Sequence, residues 1–260
     1  MTNPLDGYWR GSGITPGDIL LIHSSMRRAY LEVMRSGNKA DSVILIESLL
    51  NEVGSGGTLV FPTFNFDFPN SKYFSMQSTP SQMGKITEDA RLLCNGVRTG
   101  HPIYSFFAIG KNSQQFANVD NKSGYGENSP FALLREMDAK ICIVDLQDQE
   151  SMTFYHHVEE MCNVEYRFHK IFRGRYEDLE GVTSEKEYSL FVRNLQLGVQ
   201  TDVNRMGELL WREGLYRGNR PGVKNGMRTI RAAQLFDRTK QIIEEGKARN
   251  FLYSIQNGTR

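Results

Sequence analysis

Several things are scarce in this 260-residue chain, and each scarcity removes a class of protein. There are three cysteines, Cys94, Cys142 and Cys162, odd in number, widely spaced and without any C-x-x-C pair. That pattern excludes a disulfide scaffold, a zinc ribbon and a redox dithiol. The longest apolar runs, such as 19–22 and 141–144, fall far short of the roughly 20 residues a membrane helix needs. Residues 1–13 show no basic stretch followed by an apolar one, so no secretory signal is expected and the cytoplasm is the expected location. A charge excess is missing too: 31 Lys and Arg face 30 Asp and Glu, for a formal charge of +1. A dedicated nucleic-acid binder usually carries a clear basic surplus, so no nucleic-acid or membrane partner is expected. The G-x-S-x-G elbow, the P-loop, the Rossmann glycine fingerprint and the H-E-x-x-H pair are all absent. No internal repeat occurs.

What is present reads as an ordinary globular chain, with 39% hydrophobic and 23% charged residues. Its length suffices to bury about 70–75% of the unfolded surface without staples. Short apolar runs at 18–23, 57–61, 105–109 and 140–146 predict strands. Apolar residues at helical spacing predict helices over 40–53, 84–93 and 151–162, the first stopping at Gly54. Ser129-Pro130 predicts a helix start, with serine as cap and proline at the first turn. Strands alternating with helices indicate an α/β protein. Residues 173–190 read as polar and irregular. Residues 203–249 hold eleven Lys and Arg against five Asp and Glu, so the neutral total conceals a basic C-terminal region.

Four segments could carry chemistry. His23-Ser24-Ser25-Met26-Arg27-Arg28 ends a predicted strand, where open α/β sheets place ligands. It is either a phosphate-binding turn or a capped strand-to-helix turn. Gly56 to Phe64 runs from a glycine turn through a strand to Pro62, Thr63 and Phe64. His101, before Pro102, has an extended backbone and reads first as a structural histidine. In Thr153-Phe154-Tyr155-His156-His157-Val158-Glu159-Glu160, His156 and Glu159 share one helix face. A carboxylate beside an imidazole is the usual support for a general base near neutral pH, and also a common solvated pair. The five histidines lack metal-ligand spacing, so no metal is expected.

Taken in order, these segments resemble the aminoglycoside 3-N-acetyltransferase family. The resemblance runs through G-D-I-L-L-I-H-S-S-M, G-G-T-L-V-F-P-T-F, M-G-K-I-T-E-D-A-R and R-T-G-H-P-I-Y-S-F-F-A-I-G. It continues through Y-G-E-N-S-P-F-A-L-L to T-F-Y-H-H-V-E-E and V-E-Y-R, covering 17–167 with a looser match beyond. It implies a single domain over 1–260, with a mixed central β-sheet flanked by helices and distinct from the GNAT fold. Residues 1–170 would carry the motifs, and 171–260 would complete the acceptor site. It implies an acyl-CoA-dependent N-acyltransferase, with acetyl-CoA as co-substrate, acting on an amino sugar. His156, Glu159 and Thr153 occupy the family's T-x-x-H-x-x-E positions, and His157 falls where the family has an apolar residue. His23, Ser24, Ser25, Arg27, Thr63, Phe64, His101 and Ser105 would line the coenzyme site. Asp67, Asp145 and Glu160 are expected on the acceptor side, and Ser25, Thr63 and Thr153 are candidate oxyanion donors. Asp145 stands where the family commonly has glycine.

Two acceptors fit this reading. A polycationic aminoglycoside would want the acids Asp145, Asp148, Glu150, Glu159, Glu160 and Glu165. A nucleotide-linked amino sugar of surface-polysaccharide synthesis would want Arg205, Arg212, Arg217, Arg220 and Lys224. A metal-dependent hydrolase and a non-catalytic CoA-binding module are the competing classes. The oligomeric state stays open.

Overall fold

Alternation inside the apolar runs decides the architecture. In the computed structural model, which describes residues 4–5, 7–117, 119–222 and 226–256, Ile19 and Leu21 enter one hydrophobic cluster while Leu20 and Ile22 enter another. Ile141 and Ile143 part from Cys142 and Val144 in the same way. Successive strand side chains point to opposite faces, so a strand apolar at every position must be covered on both sides.

In chain order the elements begin β1 (Ile19–Ser24), α1 (Arg27–Arg35), α2 (Ser42–Val53), β2 (Thr58–Pro62), α3 (Phe68–Ser71) and β3 (Tyr73–Ser75). They continue α4 (Lys85–Leu93), β4 (Val97–Arg98), β5 (Phe106–Gly110), α5 (Pro130–Glu136), β6 (Lys140–Val144), α6 (Asp148–Ser151) and α7 (Phe154–Met161). Then come β7 (Arg167–Glu177), β8 (Thr183–Arg193), β9 (Val199–Thr201), α8 (Asn204–Arg212) and β10 (Arg217–Gly218). The last are β11 (Met227–Arg231), α9 (Ala232–Glu244), α10 (Ala248–Phe251) and β12 (Tyr253–Ile255).

The central sheet is mixed, in the order β10-β11-β6-β1-β2-β5-β4. Its heart is parallel, β6 and β2 flanking β1, and its outer strands are antiparallel. Helices α1, α2 and α4 cover one face through Val33, Leu45, Leu49 and Ile86. Helices α5, α7 and α9 cover the other through Phe131, Phe154, Val158 and Leu235. Local signals agree with this plan. Asp41 caps α2 by accepting the Val43 N–H at 2.8 Å, and Gly54, at φ +66°, ends it. Ser129 caps α5 with Pro130 at its first turn, as its sequence predicts.

Two expectations need correction. The helix expected over 151–162 is broken: α6 starts at a capping box between Gln147 and Glu150, and α7 begins afresh at Phe154. Residues 173–190, expected to be irregular, lie within a long hairpin. β7 and β8 pair antiparallel over eleven residues each, and β3 adds a parallel edge. Phe172, Gly174 and Tyr176 are buried while Arg173 and Arg175 face out. That is a period of two, disguised by a glycine at one inward position and charges at the outward ones. The hairpin lies over the α7 face of the sheet, contributing Phe172, Tyr188, Leu190 and Phe191 to its cluster.

Candidate active site

Helix α7 starts just past the end of the central strands and sets two residues side by side. His156 Nδ1 lies 2.8 Å from Glu159 Oε2, the i,i+3 contact the sequence predicts. Glu159 is 1% exposed and His156 19% exposed, so the carboxylate is sealed behind a ring that still reaches open space. A third group, given no role by the sequence reading, joins them. Arg167, the first residue of β7, places Nε 2.7 Å from the same Glu159 oxygen and Nη2 2.8 Å from His156 Nδ1. Its Nη1 donates to the Phe191 carbonyl at 2.9 Å, tying the triad to β8. The V-E-Y-R segment was a visible signal for Arg167, but only the hairpin brings it back onto α7.

Electrostatics follow from this burial. The His156 imidazole is held below its ordinary value of 6.5, first by burial and then by the Arg167 charge, against the pull of Glu159. It is therefore neutral at pH 7. Burial alone would raise the Glu159 carboxyl; Arg167 and His156 outweigh it and hold the group below 4.5. His157 has a different role. It is fully buried, its Nδ1 lies 2.6 Å from the Tyr125 carbonyl, and burial lowers its pKa to about 4. It fastens the Tyr125 loop.

His156 lies in the wall of a cavity of about 830 Å³ between α7 and the β7–β8 hairpin. Tyr104 and Tyr125 line it as well, with ring centroids 4.8 Å apart, and Tyr125 lies 5.3 Å from the His156 ring. Of the residues expected around a ligand, His156 alone is in this wall. The acids expected there are engaged elsewhere. Asp145 pairs with Arg28 at 3.0 Å and accepts the Gly226 N–H at 2.7 Å, beside a separate, smaller cavity. Its φ of +54° explains why glycine suits that turn. Asp148 is buried under Arg228, Tyr155 and Tyr216. Glu150 caps α6, and Asp67 accepts from Gln82. Glu160 accepts from Ser123 at 2.8 Å, with its pKa raised by burial. Nor do the C-terminal cations reach the cavity: Arg205, Arg212, Arg217 and Arg220 are outside its wall, Arg220 pairs with Glu208, and Lys224 lies outside the described residues.

The segments expected to hold coenzyme meet at the ends of β1 and β2. His23 Nε2 and Ser24 Oγ are buried there without a hydrogen-bond partner among the described residues. Burial lowers the His23 pKa to about 4. Such orphaned polar atoms suit a ligand rich in hydrogen-bonding groups. Ser25 is half-buried and Arg27 exposed at the start of α1. Thr63 and Ser105 are buried and bonded to each other at 3.0 Å, with Arg98 Nε donating to Ser105 Oγ at 3.3 Å. His101 is fully buried, and its Nδ1 accepts the Ile103 and Tyr104 N–H groups at 3.2 and 3.0 Å. It shapes a turn. Phe64 lies tilted against Tyr104 and edge-on to Phe106, so aromatic rings connect His23 to His156 through Phe64, Tyr104 and Tyr125. Thr153 caps α7, with its carbonyl accepting the His156 N–H at 3.0 Å. Among the described residues, no group of three or more His, Cys, Asp or Glu could hold a metal ion, and no helix is long and apolar enough to cross a membrane.

Comparison with known proteins agrees with this fold. Over 165 residues the chain is 29% identical to aminoglycoside N(3)-acetyltransferase IV of Salmonella sp., covering 62% of this chain and 59% of that protein's length. It is 27% identical over 202 residues to the prophage-derived aminoglycoside N(3')-acetyltransferase-like protein YokD of Bacillus subtilis, covering 68% and 70%. Its fold matches the crystal structure of aminoglycoside acetyltransferase AAC(3)-Xa with a TM-score of 0.74, at 19% identity over 90% and 89% of the two chains. It also matches AAC-IIIb in binary complex with CoASH, again with a TM-score of 0.74 at 19% identity, over 94% and 95%. The family model for aminoglycoside 3-N-acetyltransferase matches residues 21–244, and the chain belongs to that family.

Proposed function

We propose that the chain transfers an acyl group from acyl-CoA, with acetyl-CoA as donor, to an amino group of an amino sugar, and that His156 is the general base. The observation that carries this reading is the Glu159-held imidazole in the wall of the large cavity. The relatives' names point the same way, since they name aminoglycosides and one solved neighbour holds CoASH.

A bound acyl-CoA would supply a thioester carbonyl carbon and a thiolate leaving group. The chain's own work is to move a proton and stabilise charge. With its Nδ1–H donated to Glu159, His156 keeps a lone pair on Nε2. That nitrogen takes the proton from the attacking amine as the N–C bond forms, and passes it to the departing thiolate sulfur as the C–S bond breaks. A ring already neutral at pH 7 needs no prior deprotonation. Thr153, at the head of α7, is the proposed hydroxyl donor to the oxygen that gains negative charge, a contact worth about 3–4 kcal/mol. His23, Ser24, Ser25 and Arg27 are the proposed coenzyme contacts, on the strength of the two orphaned polar atoms.

The test is thiol release from acetyl-CoA over a panel of amino sugars, kanamycin included. His156→Ala should lower turnover by about 10²–10⁴, the usual worth of general base catalysis. Turnover within threefold of the unmodified protein would remove His156 from the mechanism.

A further inference from the structure

The charge of the cavity wall is opposite to what a polycationic acceptor needs. Among the described residues no Asp or Glu lines it, whereas Arg167, Lys170 and Arg193 do. Arg167 is neutralised by Glu159. Lys170 and Arg193 are exposed and have no ion-pair partner among the described residues; the Lys170 ammonium lies only over the Phe172 ring, 5.6 Å from its centroid. Arg193 also stands directly opposite Arg167 in the β7–β8 register.

Next to these cations the wall is aromatic. Phe168, at 47% exposure, lines it together with Tyr104 and the buried Phe172 and Phe191. Flat rings beside unpaired cations suit a base joined to phosphate: the ring stacks and the phosphate meets the ammonium and guanidinium. The volume of about 830 Å³ is far more than one sugar ring fills.

We infer that the acceptor of this enzyme is an amine carried on an anionic, flat-ringed group, of the nucleoside-diphosphate class, with Lys170 and Arg193 holding its phosphates and the hairpin phenylalanines holding its base. The inference rests on the acyl-transfer reading only for the amine; the binding of the anionic group is measured without turnover. Coenzyme A also carries phosphates, so the experiment must separate the two sources.

Isothermal titration calorimetry on the full chain saturated with CoA, with UDP and kanamycin as probes, does this. UDP should bind the unmodified protein. Lys170→Glu with Arg193→Glu should weaken it at least tenfold and strengthen kanamycin binding, while CoA affinity changes less than threefold. Lys170→Gln with Arg193→Gln, which adds no repulsion, should show a smaller shift in the same sense, and thermal melting checks that both variants fold. Three results would each overturn the inference: no UDP binding once CoA is in place, UDP binding indifferent to both variants, or a loss of CoA affinity in its stead. UDP binding without thiol release on any amine would remove the acyl-transfer reading and leave this one standing.

Discussion

Replacing Glu159 by Gln keeps the shape of the buried triad and deletes one charge, which makes its consequences separable. Among the described residues the carboxylate is the sole anion paired with Arg167, and the two side chains are 1% and 5% exposed. Removing one partner of a buried pair costs about 3–5 kcal/mol, because the other charge is left uncompensated. Urea unfolding at pH 7 should show that loss. The Glu159 carboxyl is held below 4.5 in the folded protein, so its contribution is complete above pH 4.5 and is lost as pH falls through the folded value. The gap between the two proteins should therefore narrow below pH 4.5. On His156, burial and Arg167 both lower the pKa and Glu159 alone among its near neighbours raises it. The acid limb of the pH–rate profile, already below 6.5, should move lower still. Turnover should fall by about 10²–10⁴, since a Gln amide can donate to Nδ1 and force the proton onto Nε2. An acid limb that stays or rises, with turnover within threefold, would refute this account of the triad.

Further expectations follow from other sites. Arg167→Met removes a lowering influence on His156, so the acid limb of kcat/KM should shift to higher pH, opposite to Glu159→Gln. Gly207→Ala would gain about 1 kcal/mol on an open helix. Here the new methyl would sit within 2.6 Å of both oxygens of Asp148, which Arg228 and Tyr216 already hold at 2.6 and 2.7 Å. A net loss of about 2–4 kcal/mol is expected from overpacking and disturbed hydrogen bonds, and a gain in urea midpoint would contradict it. Burial holds His23, His101 and His157 near pKa values of about 4, about 3 and about 4. The unfolded chain binds protons at these rings below about 6.5 while the folded chain does not, so stability should fall from pH 6.5 to pH 4, by up to about 1.4 kcal/mol per pH unit for each ring. A melting temperature unchanged between pH 7 and pH 5 would be the contrary result.

The sequence made the parallel heart of the sheet legible because doubly buried strands are apolar at every position, as in 19–22 and 141–144. Ser129-Pro130 and Gly54 were legible because caps act within one turn. The His156–Glu159 pair was legible for the same reason, since i,i+3 spacing is local. The hairpin was not: glycine and arginine at alternating positions hid its period, and with it the return of Arg167 to α7. The charge of the cavity was not legible for a related reason. Acids close to His156 in sequence are spent on Arg28, Arg228 and Ser123, and the C-terminal arginines stay outside the wall, whereas the cations that do face it come from β7 and β8.

Two groups 2.8 Å from His156 Nδ1 demand opposite proton positions, because Glu159 can only accept and Arg167 can only donate. Histidine nitrogen NMR on uniformly ¹⁵N-labelled protein, with His156→Gln to assign the ring, tells them apart. A general base requires the proton on Nδ1 and an unprotonated Nε2 at pH 7, titrating below 6.5. A ring protonated at Nε2, with Nδ1 accepting from Arg167, would contradict the central claim.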